Sequence, residues 1–280
     1  MPKKTPPAPS WDLSDLFLSQ TDPALQTAWD QAHARADAFA KKYRGKITDK
    51  TSPEVLLPMI QQYESILEQA SKPEIYAVLI VSAESTPANS AFEQKMRQEG
   101  VAVSQKILFF ELELSKVSAS VLSRWSKHPV LKNYAHYLKR VAQYRPHRLS
   151  ENEEKLISDL SLAGGANFVR LFDEELAYKT FSLKQGNKVV KLNTEETLHG
   201  LHSAKRSERK AAADALTKGL KEDERRTTFI ANALFQHKKV TDSYYKFSSP
   251  EESRHISNET DQKTVDAMSQ AVSERYAIVH

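Results

Sequence analysis

The sequence predicts a mostly α-helical fold, a multi-helix lobe interrupted by one small β-hairpin at about residues 180–192. Two observations carry this. Glycine is scarce, with seven in 280 residues and only Gly45 and Gly100 before Ala163, where average usage is ~7%. Turn-rich sheets draw on glycine for positive-φ turns, and helices lose stability to it. Apolar residues also recur every three or four positions along most of the chain, while β-type alternation is confined to one place.

Each element follows in order. Residues 1–10 are Pro- and Lys-rich and are expected to form a disordered tail. Trp11, Leu13, Leu16 and Phe17 then cluster as a packing clasp. From Pro23 the stripe Leu25, Trp29, Ala32, Ala36, Phe39 and Tyr43 predicts a helix closed by Lys41, Lys42 and Gly45, with cations favoured at its negative end. Ser52 and Pro53 predict the cap and first position of a second helix, with the stripe Leu56, Ile60, Tyr63, Ile66, Leu67 and Ala70 and a bend at Pro58. Pro73 is expected to open a further helix that ends at Pro87. A long helix then carries Phe92, Met96, Val103, Ile107, Phe110, Leu114 and Val117.

Helix is again expected over Val130–Tyr144. Another runs from Ser150 to Leu160, opened by a capping box between Ser150 and Glu153. Thr180–Leu183 and Val189–Leu192 flank a Gly186–Asn187 turn. Asn193 and Thr194 cap a helix with Leu198 and Leu201. Helices follow over Ala211–Leu220 and Thr227–Tyr245. Val265, Met268, Val272, Tyr276 and Val279 form a last apolar face that reaches His280 without a terminating glycine, asparagine or proline. That face is expected to continue into further polypeptide.

Composition excludes several classes. The absence of cysteine removes disulfides and thiolate metal sites. The tail lacks the apolar stretch of a secretory signal, and runs such as Ala77–Val81 fall far short of the ~20 apolar residues of a membrane span. A cytoplasmic protein without a membrane partner is expected. The net charge of +4 does not by itself demand nucleic acid.

No His-Glu-x-x-His, Gly-x-Ser-x-Gly, phosphate loop or dinucleotide fingerprint occurs. Glu195, His199 and His202 are spaced to share a helical face and converge on an ion. Histidines on a capped, charged helix are more often solvated, and no fourth ligand is evident, so no metal ligand is assigned. From Lys116 to Ser150 there is no acid, while Lys116, Arg124, Lys127, Lys132, Lys139, Arg140, Arg145 and Arg148 interleave with Trp125, Tyr134, Tyr137 and Tyr144. Such interleaving can track phosphates and stack bases. Trp125, Leu131, Tyr134 and Leu138 equally fit a buried face whose solvated side is basic, and that reading is preferred over nucleic acid.

Several segments together resemble oligoendopeptidase F and its thimet-oligopeptidase-like zinc metallopeptidase relatives. They are Trp11-Asp12-Leu13-Ser14-Asp15-Leu16-Phe17, then Leu149 to Leu156 running through Leu162-Ala163-Gly164 to Arg170–Leu176. The hairpin, the Asn193 helix, Arg209–Ala213, Arg254, Asn258 and the Val265–Tyr276 helix follow in order.

The resemblance implies an almost wholly helical enzyme that cleaves short peptides in a deep groove. A His-Glu-x-x-His helix and a further glutamate would hold zinc, and the motif's glutamate would activate a water. None of those residues is present, so no catalytic or metal residue is assigned and the substrate-binding residues are unknown. Zinc is expected in the complete enzyme and not on this chain, whose partners would be short peptides and a missing C-terminal catalytic part. The organisation expected is a tail (1–10), an N-terminal helical region (11–117), an oligopeptidase-F-type N-terminal domain ending in the hairpin (118–192), and the first helices of a truncated catalytic domain (193–280). The rival expectation is a non-enzymatic helical binding module built on Lys116–Arg148.

Overall fold

The computed structural model describes residues 11–185 and 188–278. The expected tail, the Gly186–Asn187 turn and the Val279–His280 end lie outside the described residues. The fold is mostly α with one two-stranded antiparallel sheet among the described residues. The chain divides into two compact units, residues 1–157 with 242–280, and residues 158–241.

The first unit is built on α1 (Pro23–Tyr43), α2 (Pro53–Ala83) and α3 (Pro87–Lys116). In α1 the Asp22 carboxylate accepts from the Ala24 N–H, and the buried residues are Leu25, Trp29, Ala32, Ala36, Phe39 and Tyr43. This is the stripe its periodicity predicts. Phe39 meets Phe109 and Phe110 of α3 with ring centroids 5.6 and 5.4 Å away, and Tyr63 of α2 stacks on Phe110 at 4.7 Å. The Trp29 indole N–H donates to the Met96 sulfur at 3.3 Å. Leu13, Leu16 and Phe17 pack on this core, whereas Trp11 of the expected clasp stays 65% exposed.

Proline misleads in α2. Pro73 does not open a new helix, because α2 runs unbroken for 31 residues with Pro58 and Pro73 inside it. An internal proline removes one backbone hydrogen bond and crowds the preceding turn. Here Ile66 and Ala70 before Pro73, and Tyr76 and Ala77 after it, are all buried, so packing on both sides holds the helix in phase. Ser52 makes no side-chain cap hydrogen bond, and Leu67 lies outside the buried face.

Val130–Tyr144 is also subdivided. A 3₁₀ turn over Pro129–Tyr134 precedes α5 (Ala135–Tyr144), and α4 (Ala119–Ser126), absent from the sequence reading, stands before it. Trp125, Leu131, Leu138 and Val141 bury inward from these elements.

α6 (Glu151–Ala163) opens on the expected capping box: Ser150 N–H donates to Glu153 at 2.8 Å and Glu153 N–H to the Ser150 hydroxyl at 3.4 Å. In the 158–241 unit follow α7 (Gly165–Tyr178), β1 (Phe181–Gln185), β2 (Lys188–Leu192), α8 (Thr194–Gly200), α9 (Arg206–Glu222) and α10 (Glu224–Tyr244). The register pairs Phe181 with Leu192 and Gln185 with Lys188. Phe181, Leu183, Ala212 and Ala215 form the core where the hairpin meets α9. Gly219 makes that contact possible, since a Cβ there would lie 2.5 Å from the Phe181 ring. The chain then returns to the first unit with α11 (Glu252–Ser257) and α12 (Gln262–Glu274). On the last apolar face Val265 is half-buried, and Met268, Val272 and Tyr276 are exposed.

Candidate functional site

In the 158–241 unit a set of polar side chains lines a cleft of about 770 Å³ between the hairpin, α8 and α9. α8 is set by a reciprocal cap: the Asn193 side chain accepts from Glu196 N–H at 2.8 Å, and Glu196 accepts from Asn193 N–H at 2.9 Å. His199, His202, Glu196 and Glu208 all line the cleft; Glu195 does not.

The helical-face argument for Glu195, His199 and His202 fails on geometry. α8 ends at Gly200 with Leu201 as its C-cap, so His202 stands in the following turn and does not share the helix's 3.6-residue spacing. All three side chains are exposed. Glu208 accepts from Ser203 at 2.6 Å and Lys205 at 3.0 Å, and these hydrogen bonds hold its carboxyl below the usual range. Glu196 is occupied by its cap. Among the described residues no group of three or more His, Asp or Glu side chains is arranged to hold a metal ion. The described residues therefore do not fit a zinc site.

The basic stretch is divided by burial. Trp125, Leu131 and Leu138 are fully buried and Tyr134 and Tyr137 half-buried, whereas Arg124, Lys127, Lys132 and Lys139 are exposed. The phenol of Tyr134 donates to Glu64 at 2.7 Å, and its pKa is pushed up to about 12, chiefly by burial and then by that carboxylate. Two of the cations are occupied. Arg140 pairs with Glu259 at 3.3 Å, and Arg148 pairs with Glu111 of α3.

Sequence reasoning missed what surrounds Glu111. Tyr63 hydrogen-bonds to it, and burial, reinforced by its charge, drives the Tyr63 and Tyr137 phenols well above their ordinary value. The Tyr137 hydroxyl and Arg148 Nε are buried with no hydrogen-bond partner among the described residues. Nearby, Tyr245 donates to Glu154 at 2.8 Å, and His147 stacks on Phe247 with centroids 4.2 Å apart while its Nδ1 meets the Tyr245 carbonyl at 3.0 Å. These contacts fasten the returning segment to the α6 start. Their partners lie 91 to 100 residues apart, so no local pattern announces them.

The arrangement is that of a helical scaffold with polar clefts. Comparisons with known proteins agree with the family resemblance. A family model described as Oligopeptidase F matches residues 113–181, a span that contains the capping box of α6 and all of α7. The plasmid-encoded oligoendopeptidase F of Lactococcus lactis subsp. cremoris is 22% identical over 97% of this chain and 45% of its own length. Group B oligopeptidase PepB of Streptococcus agalactiae is 26% identical over 74% of this chain and 34% of its own. The crystal structure of oligoendopeptidase-F from Enterococcus faecium shares the fold with a TM-score of 0.74 at 18% identity, over 90% of this chain and 50% of that one. The helical fold is thus shared with that structure. The chain is related to the N-terminal part of the oligoendopeptidase F family. It spans less than half the length of the curated relatives it matches. No helix among the described residues is long and apolar enough to cross a membrane.

Proposed function

We propose that the chain is the N-terminal portion of a zinc metalloendopeptidase that hydrolyses short peptides, and that its helices wall the substrate groove. The observation that supports this is the alignment of 97% of the chain with 45% of an oligoendopeptidase F. More than half of that relative has no counterpart here, and the described residues offer no ligand set for a metal. On this reading the metal-binding and catalytic residues belong to other polypeptide, with residues 193–280 as the first helices of the catalytic domain. This chain contributes rigid helical walls that exclude long or folded substrates. The enzyme is cytoplasmic, and the 280-residue chain by itself neither retains zinc nor cleaves peptides.

Metal analysis of the dialysed chain with a quenched-fluorescent peptide assay tests the division of labour. Neither bound zinc nor turnover is expected; one equivalent of retained zinc, or chelator-sensitive hydrolysis by homogeneous protein, contradicts it. The coding frame after His280 tests the completion, since a His-Glu-x-x-His segment is expected there.

A further inference from the structure

The 158–241 unit contains a second depression, of about 700 Å³, between α7, α8, α9 and the start of α10. Its floor is apolar: Phe181 is buried, and Phe172, Leu176 and Leu216 are half-buried. Leu198 and Leu220, 38% and 45% exposed, stand at its edge. Of the charged side chains only Lys221 and Glu224 line it, and the remaining lining residues are threonines. We propose that this groove docks the apolar face of one amphipathic helix, supplied by the polypeptide that completes the peptidase. The inference rests on the proposed function and says where in this unit the completing polypeptide is held.

The groove's chemistry selects the occupant. An extended peptide brings unpaired backbone N–H and C=O groups and charged ends, all of which need partners when they leave water. Thr194 and Thr227 already donate their hydroxyls to the Leu176 and Asp223 carbonyls, and the other two threonines with a single charge of each sign are too few partners for an extended backbone. A helix satisfies its backbone internally and offers a row of apolar side chains, which is what a helix-binding groove accepts. The unit is also short of internal cover. Ile230 is the one buried residue of the 21 in α10, and Phe229 and Phe235 are 66% and 71% exposed. The relatives, more than twice as long as the part matched here, carry the additional polypeptide that such a surface requires.

The test co-expresses this chain with the polypeptide encoded after residue 280 as separate chains and measures their association by sedimentation. Leu198→Glu and Leu220→Glu place charge at the groove edge on exposed positions, so the core is left intact; far-UV circular dichroism checks this. Leu18→Glu, at a position 80% exposed in the other unit, is the control. Wild type and Leu18→Glu should associate alike, and both groove variants should weaken association at least tenfold. Amides of residues 216–220 should exchange more slowly in the complex. Equal association by all four chains overturns the groove assignment and leaves the proposed function standing. No association by the wild-type chain overturns both.

Discussion

The two units have equally clear helix signals and very different interiors. In the first, α1, α2 and α3 bury a continuous core from Leu25 through Trp29, Phe39, Ile60, Val103 and Phe110 to Trp125. In the second, the core is Phe181, Leu183, Ala212 and Ala215, while α7 buries only Gly165 and α10 only Ile230. Local signals decide where helices start and stop, but tertiary burial supplies most of their stability. The first unit therefore has the means to stand alone, and the second has helices whose apolar faces await cover.

The sharpest way to break this comparison is to delete equivalent rings. Phe110→Ala removes a fully buried side chain and should cost ~3–5 kcal/mol in denaturant unfolding. Phe235→Ala, at a site 71% exposed, should change stability by less than ~0.5 kcal/mol. Equal losses would mean that the second unit is as tightly packed as the first. Next in size is Gly219→Ala. Its Cβ would lie 2.5 Å from the buried Phe181 ring, and overpacking of that kind costs ~1–3 kcal/mol; the loss should appear as earlier melting of the 158–241 unit alone.

Lys246 adopts φ 59° two residues past the end of α10 at Tyr244, with Phe247 N–H donating to the Asp242 carbonyl at 3.0 Å. This is a left-handed helix terminus at which glycine is favoured. Lys246→Gly should raise stability by ~1 kcal/mol, read as a higher midpoint at unchanged m-value.

The smallest effect is a pH dependence. The Glu74 carboxyl is raised above its usual value, first by burial, with Arg97 opposing and Glu93 reinforcing. The native state then holds the proton more firmly than the unfolded chain, so stability falls as pH rises from the unfolded value through the raised folded one. Glu74→Gln should flatten that slope and stabilise the protein at neutral pH. Gly100→Ala should act in the same direction, because its Cβ would displace the flexible Glu74 carboxylate, 1.8 Å away, toward solvent, and alanine is the better helix former by ~1 kcal/mol.

Particular residues show what could be read in advance. The α1 stripe, the Ser150–Glu153 box, the Asn193 cap and the hairpin strands were legible because each rests on residues a few positions apart. Pro73 misled because its local cost is overridden by buried neighbours on both sides, which the sequence around it does not display. His202 misled because α8 ends at Gly200, two residues before it. The Glu111, Arg148, Tyr63 and Tyr137 cluster was invisible, since Arg148 and Glu111 are 37 residues apart and the acid-free stretch looks uniformly solvated when read alone. The resemblance to the oligoendopeptidase F family was legible through motif order, although no single motif was decisive.

Native-state amide hydrogen exchange of the intact chain tests the contrast between the units most directly, because it reports local opening free energies element by element. The account predicts that the slowest amides lie in α1, α2 and α3 around Phe39, Ile60 and Phe110. Amides of α7 and of the Thr227–Lys239 part of α10 should exchange at least a hundredfold faster, corresponding to about 2.7 kcal/mol less protection. Equal protection in α3 and α10 would contradict it.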